Sequence, residues 1–259
     1  TMVIFEADLV REEIEIPMEV LIKKDSGQLA RAGAEICRTA ALEAVQKKGR
    51  FTLVLSGGFT PRPMHRLLAR EPHLGEIPWD KTHIFWVDER CLEPSDPESN
   101  YGQAEEDFLF KVPLPQNHIH PMPSTLPPEQ GARFYQKTIT DFFDIKKGQF
   151  PVFDLIYLGL GTDGHTASLF PGQTVLNEKR RLIVPVKGGM PDVNRLTMTL
   201  PLINRAKQKV FLVSGSDKAL AVKRVVQDRL QELPAGRVRP EKGKLSWLLD
   251  QEAAALLEK

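Results

Sequence analysis

Asp163 and His165 stand two residues apart in a glycine-rich turn, Gly159-Leu-Gly161-Thr-Asp163-Gly164-His165-Thr166, directly after the apolar run Phe153 to Leu158. Histidine is suited to moving a proton near neutral pH, and a neighbouring carboxylate can fix its tautomer and orientation. Gly159, Gly161 and Gly164 allow a ligand to approach the backbone closely. That setting separates His165 from His65, His73 and His83, which read as structural or surface histidines. The expectation is a catalytic His165 backed by Asp163.

Other segments offer charge and amides. Ser56-Gly57-Gly58-Phe59-Thr60-Pro61 follows the buried-looking run Phe51 to Leu55 and opens a helix, with Thr60 as its cap and Pro61 in its first turn. Glycine amides and a helix N-terminus suit a phosphate. The loop is neither a dinucleotide fingerprint nor a Walker loop, because a third glycine and a Gly-Lys-Ser/Thr ending are absent. Asp88-Glu89-Arg90 follows Ile84 to Val87, so Arg90 is placed to clamp an anionic substrate and Asp88 to orient a hydroxyl or a base. Arg195 precedes Leu196-Thr-Met-Thr-Leu200, and Lys218 follows Ser214-Gly215-Ser216-Asp217 as a candidate phosphate point charge. His118 and His120 have the spacing that puts both on one side of a strand, but no third ligand is spaced nearby and catalytic zinc normally takes three. No metal is expected.

These residues require a scaffold that gathers strand exits. Short apolar runs at Phe51 to Leu55, Ile84 to Val87, Phe153 to Leu158, Leu182 to Val186 and Val210 to Val213 read as strands buried on both faces. Helical patterns at Ser26 to Lys48, Pro61 to Leu68, Asn100 to Phe110, Glu129 to Phe143 and Asp217 to Leu230 alternate with them. Strand and helix in alternation imply right-handed crossovers and an α/β fold, a mostly parallel sheet with helices on both faces. In such a sheet ligands bind at the carboxyl ends of the strands. Val3 to Phe5 and Ile14 to Ile22, interrupted by charged residues, read as strands or edge elements. Val112 to Pro128 holds too many prolines for a helix or central strand, so it reads as a long loop inside a single domain spanning 1–259.

Composition removes other classes. The 259 residues carry 35 Lys and Arg against 34 Asp and Glu, a net charge of +1, with no basic stripe, so neither nucleic acid nor a membrane surface is an expected partner. No run approaches the length of a membrane span. Cys37 and Cys91, the only cysteines, can neither staple a fold of this size nor form a zinc site, which fits a reduced, cytoplasmic setting. Cys37 falls on the apolar stripe of its helix and reads as a core residue.

Taken together, Leu-Ser-Gly-Gly-Phe-Thr-Pro, Trp-Val-Asp-Glu-Arg-Cys with Ser99-Asn100-Tyr101 after it, Gly-Leu-Gly-Thr-Asp-Gly-His-Thr-Ala-Ser-Leu-Phe-Pro-Gly, Asn-Arg-Leu-Thr-Met-Thr-Leu-Pro and Ser-Gly-Ser-Asp-Lys resemble the 6-phosphogluconolactonase family. The resemblance spans Ser56 to Trp247. It implies a Rossmann-like sheet related to that of glucosamine-6-phosphate deaminase, no cofactor, and 6-phospho-D-glucono-1,5-lactone as substrate. By position it puts the catalytic histidine at His165, with Asp163 beside it and Arg90 in the cleft. It matches sugar-phosphate contacts to Ser56, Gly57, Gly58, Thr60, Arg195 and Lys218. Phe59 departs from the resemblance, standing where the family often has serine. Two other readings stay open: an amino-sugar-phosphate isomerase or deaminase, disfavoured because Thr166 to Gly172 holds no carboxylate, and a non-catalytic sugar-phosphate sensor, disfavoured because neither end carries a DNA-binding extension.

Overall fold

The computed structural model describes residues 18–146, 148–239 and 241–258. The strand expected at Val3 to Phe5 lies outside them. Strand β1 (Met18–Lys23) leads into helix α1 (Ser26–Lys48). The Asp25 carboxylate caps α1 by accepting from the Gln28 N–H at 2.7 Å. Gly49, at φ 75°, ends it by donating to the Val45 carbonyl. Leu29, Ala30, Gly33, Ala34, Cys37, Ala41 and Ala44 form its buried face. Burial pushes the Cys37 thiol up to about 12, which leaves it inert at neutral pH.

The sheet follows from runs of apolar and β-branched residues. Strands β2 (Phe51–Leu55), β3 (Thr82–Trp86), β5 (Leu155–Leu158), β8 (Gln208–Val213) and β9 (Lys244–Asp250) join β1 in a 6-stranded sheet ordered β1-β9-β8-β5-β2-β3. Every pairing in it is parallel. Phe211 and Trp247 stack across neighbouring strands with ring centroids 3.9 Å apart. Burying side chains of this size contributes roughly 1.5–3 kcal/mol each.

Chain order fixes where a ligand belongs. From β2 the next strand is added on one side, as β3, whereas from β5 the sheet grows the other way, through β8 and β9. The strand order therefore reverses between β2 and β5, and such a switch point opens a crevice at the carboxyl ends of the two strands.

A second, 3-stranded sheet stands beyond β3. Strand β4 (Asp88–Arg90) continues the chain of β3 through Val87, and pairs antiparallel with β7 (Val193–Met198), which pairs in turn with β6 (Ile183–Gly188). Val87 joins the sheets: its N–H donates to the Leu55 carbonyl at 2.8 Å and its carbonyl accepts from the Met198 N–H at 2.7 Å. Helix α5 (Pro128–Phe143) packs on β6 and β7.

Several sequence expectations need correction. The run at Leu182 to Val186 is a strand of the small antiparallel sheet, because a short apolar run does not reveal the direction of its partner. Arg195 lies inside β7 rather than ahead of a strand. Helix α2 (Arg62–Leu68) starts after Pro61 with no side-chain cap, so Thr60 does not cap it. Between α2 and β3 lies a further short helix, α3 (His73–Glu76). Helix α4 (Asn100–Asp107) stops before Phe110 and passes into a 3-10 turn. After α6 (Leu200–Asn204) and β8, the helix expected over Asp217 to Leu230 is a 3-10 turn at Ser216–Lys218, a short α7 (Ala219–Val222) and a π-helical segment at Lys223–Gln227. The proline-rich stretch is irregular, with a 3-10 turn at Gln116–His118 and its last residue, Pro128, opening α5; it runs along β3 with the His120 N–H on the Ile84 carbonyl at 2.9 Å.

Candidate active site

The exits of β2 and β5 line a cleft of about 440 Å³, closed on its flanks by β4, β7 and the exit of β8. Ser56 to Pro61, Asp88, Arg90, His165, Arg195 and Lys218 all line it. Gly164 does not: it sits at φ +84° against Leu233 and serves the turn that carries His165. Asp163 stands behind the histidine rather than in the wall.

The Asp163 Oδ1 accepts from the His165 backbone N–H at 3.1 Å and lies 2.6 Å from His165 Nδ1. That contact directs the imidazole proton to Nδ1 and leaves Nε2 as the basic nitrogen. Burial works to raise the Asp163 carboxyl, but the His165 N–H, the imidazole charge and its hydrogen bond together hold it below its ordinary value. A Cβ on Gly161 would stand 2.1 Å from His165 Nδ1, so only glycine lets the ring lie along this backbone. Phe170 packs on the other side, its ring centroid 4.9 Å from that of the imidazole.

Two guanidinium groups form the facing wall. Arg90 and Arg195 are direct cross-strand partners on β4 and β7. Like charges placed opposite one another oppose pairing, and an anion between them removes the conflict. Desolvation, and then the charge of Arg90, push the Arg195 guanidinium below its ordinary value. Arg195 donates to the Gly188 and Pro191 carbonyls at 2.8 and 3.2 Å, which leaves its charge unneutralised by those contacts. Arg90 Nε is buried without a partner among the described residues.

The glycine loop is more occupied than its sequence suggests. The Gly58 N–H donates to Gln103 Oε1 at 3.2 Å, so this amide is engaged within the protein. Phe59 projects over the rim with 82% of its surface exposed. Lys218 enters the wall from the 3-10 turn and contacts Asp217 at 3.2 Å. The Ser214 hydroxyl donates to Asp250 Oδ2, and the Gly215 N–H donates to Asp250 Oδ1 at 3.1 Å, which fixes the loop carrying Lys218.

Residues 24–247 match the family described as glucosamine-6-phosphate isomerases/6-phosphogluconolactonase. The chain belongs to this family. It is 44% identical over 241 residues to a 6-phosphogluconolactonase of Synechocystis, covering 91% of this chain and 96% of the relative. It is 36% identical over 231 residues to the 6-phosphogluconolactonase of Rattus norvegicus, covering 87% and 89%. Among solved structures, the 6-phosphogluconolactonase of Trypanosoma brucei superposes with a TM-score of 0.83 at 26% identity, covering 94% of this chain and 100% of that one.

Within this family member, two further residues join the site with no signal in the sequence beyond their place in a matching stretch: Ser168, whose hydroxyl donates to Asp88 Oδ2 at 2.6 Å, and Asn100, which touches both Asp88 and Arg90. Asn100 was visible only inside the stretch Ser99-Asn100-Tyr101. The third histidine near His118 and His120 was also overlooked: His83 Nδ1 lies 3.3 Å from His120 Nε2. His83 is the second residue of β3, at the opposite end of the strand from the cleft, and the described residues hold no group of three or more His, Cys, Asp or Glu arranged for a metal ion.

Proposed function

We propose that this protein hydrolyses 6-phospho-D-glucono-1,5-lactone to 6-phospho-D-gluconate, with His165 as general base and then general acid. The observation that carries this reading is the Asp163-oriented imidazole facing a cleft with two cross-strand guanidinium groups. The names of the relatives agree with it.

A lactone is an internal ester. His165 Nε2 takes a proton from water as the water oxygen attacks the carbonyl carbon, and Arg90 stabilises the resulting oxyanion. The tetrahedral centre then expels the ring oxygen, and the imidazolium returns the proton to it. Ring opening yields the carboxylic acid, which ionises in water. Asp163 remains a carboxylate throughout and holds the imidazolium. Arg195 and Lys218, with the Ser56 and Thr60 hydroxyls and the loop of Gly57 and Gly58, hold the sugar phosphate. Asp88 orients a sugar hydroxyl, and Gly164 shapes the catalytic turn. No serine stands in a Gly-x-Ser-x-Gly elbow, which favours direct water attack over an acyl-enzyme.

The chain acts as one catalytic unit in this reading, because both sheets contribute to the cleft. No described helix is long and apolar enough to cross a membrane, and two free thiols suit a cytoplasmic setting. Its partner is a small sugar phosphate.

A pH-stat assay on freshly made 6-phosphogluconolactone, with spontaneous hydrolysis subtracted, tests the activity. His165→Ala is expected to lower turnover by about 10² to 10⁴ while leaving binding of the phosphorylated sugar largely intact. Full activity in that variant would refute the mechanism. Glucosamine 6-phosphate serves as the opposing substrate, and its deamination at a comparable rate would transfer the assignment to the isomerase branch of the family.

A further inference from the structure

We propose that Asn100, anchored by Glu89, is a positioning residue that holds the Arg90 guanidinium in the cleft; this rests on the reading of Arg90 as the oxyanion-stabilising group. Asn100 is 3% exposed and Glu89 1%. The Asn100 side chain works in two directions at once: Oδ1 accepts from Arg90 Nη1 at 2.6 Å, and Nδ2 donates to the Asp88 carbonyl at 2.8 Å. Arginine offers only donors and a carbonyl only accepts, so a planar amide satisfies both partners, where a carboxylate satisfies Arg90 alone and an alkyl group neither. The same Oδ1 lies against the glycine loop, since a Cβ on Gly57 would fall 1.8 Å from it. One side chain therefore ties together Asp88, Arg90 and the β2 exit.

Glu89 holds Asn100 through the backbone. Its Oε1 accepts from the Arg90 N–H at 2.7 Å and the Asn100 N–H at 2.9 Å. Its Oε2 accepts from the Tyr101 N–H at 2.8 Å and the Ser99 hydroxyl at 3.2 Å. The carboxylate thus rivets β4, which carries Arg90, to the first turn of α4, which carries Asn100. Burial pushes this carboxyl up to about 7 against the pull of those hydrogen bonds, so keeping it ionised here is costly.

Arg90 needs such restraint. Arg195 stands directly across the strand pair and repels it. Asn100 and the Glu98 carbonyl, the latter at 2.7 Å from Nη1, hold one arm of the fork, while the half-exposed Glu98 carboxylate stands 3.6 Å from Nη2 on the other. Nε is buried with no hydrogen-bond partner among the described residues.

The test is a double-mutant cycle on the full chain, reading kcat and KM for 6-phosphogluconolactone and thermal unfolding for Asn100→Ala, Arg90→Ala and the pair. Asn100→Ala is expected to lower kcat by about 10- to 100-fold, the usual cost of losing an orienting partner, with KM little changed. In the Arg90→Ala background the same substitution is expected to cost almost nothing more. Asn100→Asp, which keeps the acceptor for Arg90 and a similar volume, is expected to retain more activity than Asn100→Ala, and stands in for it in the cycle should the alanine variant fail to fold. Equal losses in both backgrounds, or a loss confined to KM, would overturn the proposal while leaving lactonase activity in place. Absence of turnover in the unaltered protein would instead remove the reading beneath it, and the proposal with it.

Discussion

A contact of 2.6 Å between His165 and Asp163 decides which imidazole nitrogen is left basic, and the proposed mechanism gives that nitrogen the proton transfer. Asp163→Asn keeps the shape but offers an amide that can present its NH2 to the ring, so the preference for a proton on Nδ1 is lost. The expected outcome is a fall in kcat of roughly 10- to 100-fold with little change in thermal stability, measured by pH-stat kinetics beside a melting curve. The sign of its ionisation agrees. Asp163 is held below its ordinary value, so its contribution to stability is present above the unfolded carboxylate range and disappears only as pH falls through the lower folded value. At neutral pH it is a carboxylate. Phe59 belongs to the same scale: with 82% of its surface exposed, Phe59→Ser should change the unfolding free energy by less than about 0.5 kcal/mol, as surface changes usually do, while KM reports whether the ring covers bound sugar.

The turns after the strands matter more than the strands themselves. Gly161→Ala places a methyl group 2.1 Å from His165 Nδ1, so the imidazole must leave its position. Activity should drop by at least about 10-fold while most of the fold is retained, which kinetics and circular dichroism on the same sample would separate. Such turns are legible in sequence because their chemistry is local: Gly159 to His165 shows its glycines, acid and histidine in one short stretch. Contacts between distant turns are not legible. Asn100 meets Arg90 from α4, and Ser168 meets Asp88 from the far side of the β5 exit, pairs that no spacing rule marks. The strand pattern suffers similarly. Phe51 to Leu55 reads correctly because it is buried on every residue, whereas β6 carries the same apolar signature in an antiparallel sheet. β9 passed unread because Glu241, Lys242, Lys244 and Asp250 surround its apolar centre, and only pairing with β1 and β8 makes it a strand.

Across the molecule, buried imidazoles set the response to acid. Burial pushes His65, His83 and His120 down to about 4, so each is neutral in the folded protein and binds a proton more readily when unfolded. Stability from these groups is complete above the unfolded histidine range and declines as pH falls from about 6.5 toward 4. Glu89 acts oppositely. Raised to about 7, it favours the folded state when protonated and contributes less as pH rises from its unfolded value of 4.5. Three imidazoles outweigh one carboxyl, so the melting temperature should fall on acidification through this window, and His65→Phe should flatten the decline. An unchanged slope would remove His65 from the account.

The assembly of the cleft from separate strand exits has a temporal meaning. Ser56 follows β2, His165 follows β5, Arg195 lies in β7, and the loop before Lys218 is fastened by Asp250 at the end of β9. Nothing short of nearly the whole described chain can bring them together. During synthesis, a nascent chain that has already formed α1 and β2 is still without a working pocket until the residues around 250 have emerged and docked between β1 and β8. Contacts so distant in sequence form late. The pocket thereby depends on β9, and a chain that has not yet made it lacks the fastening of the Lys218 loop.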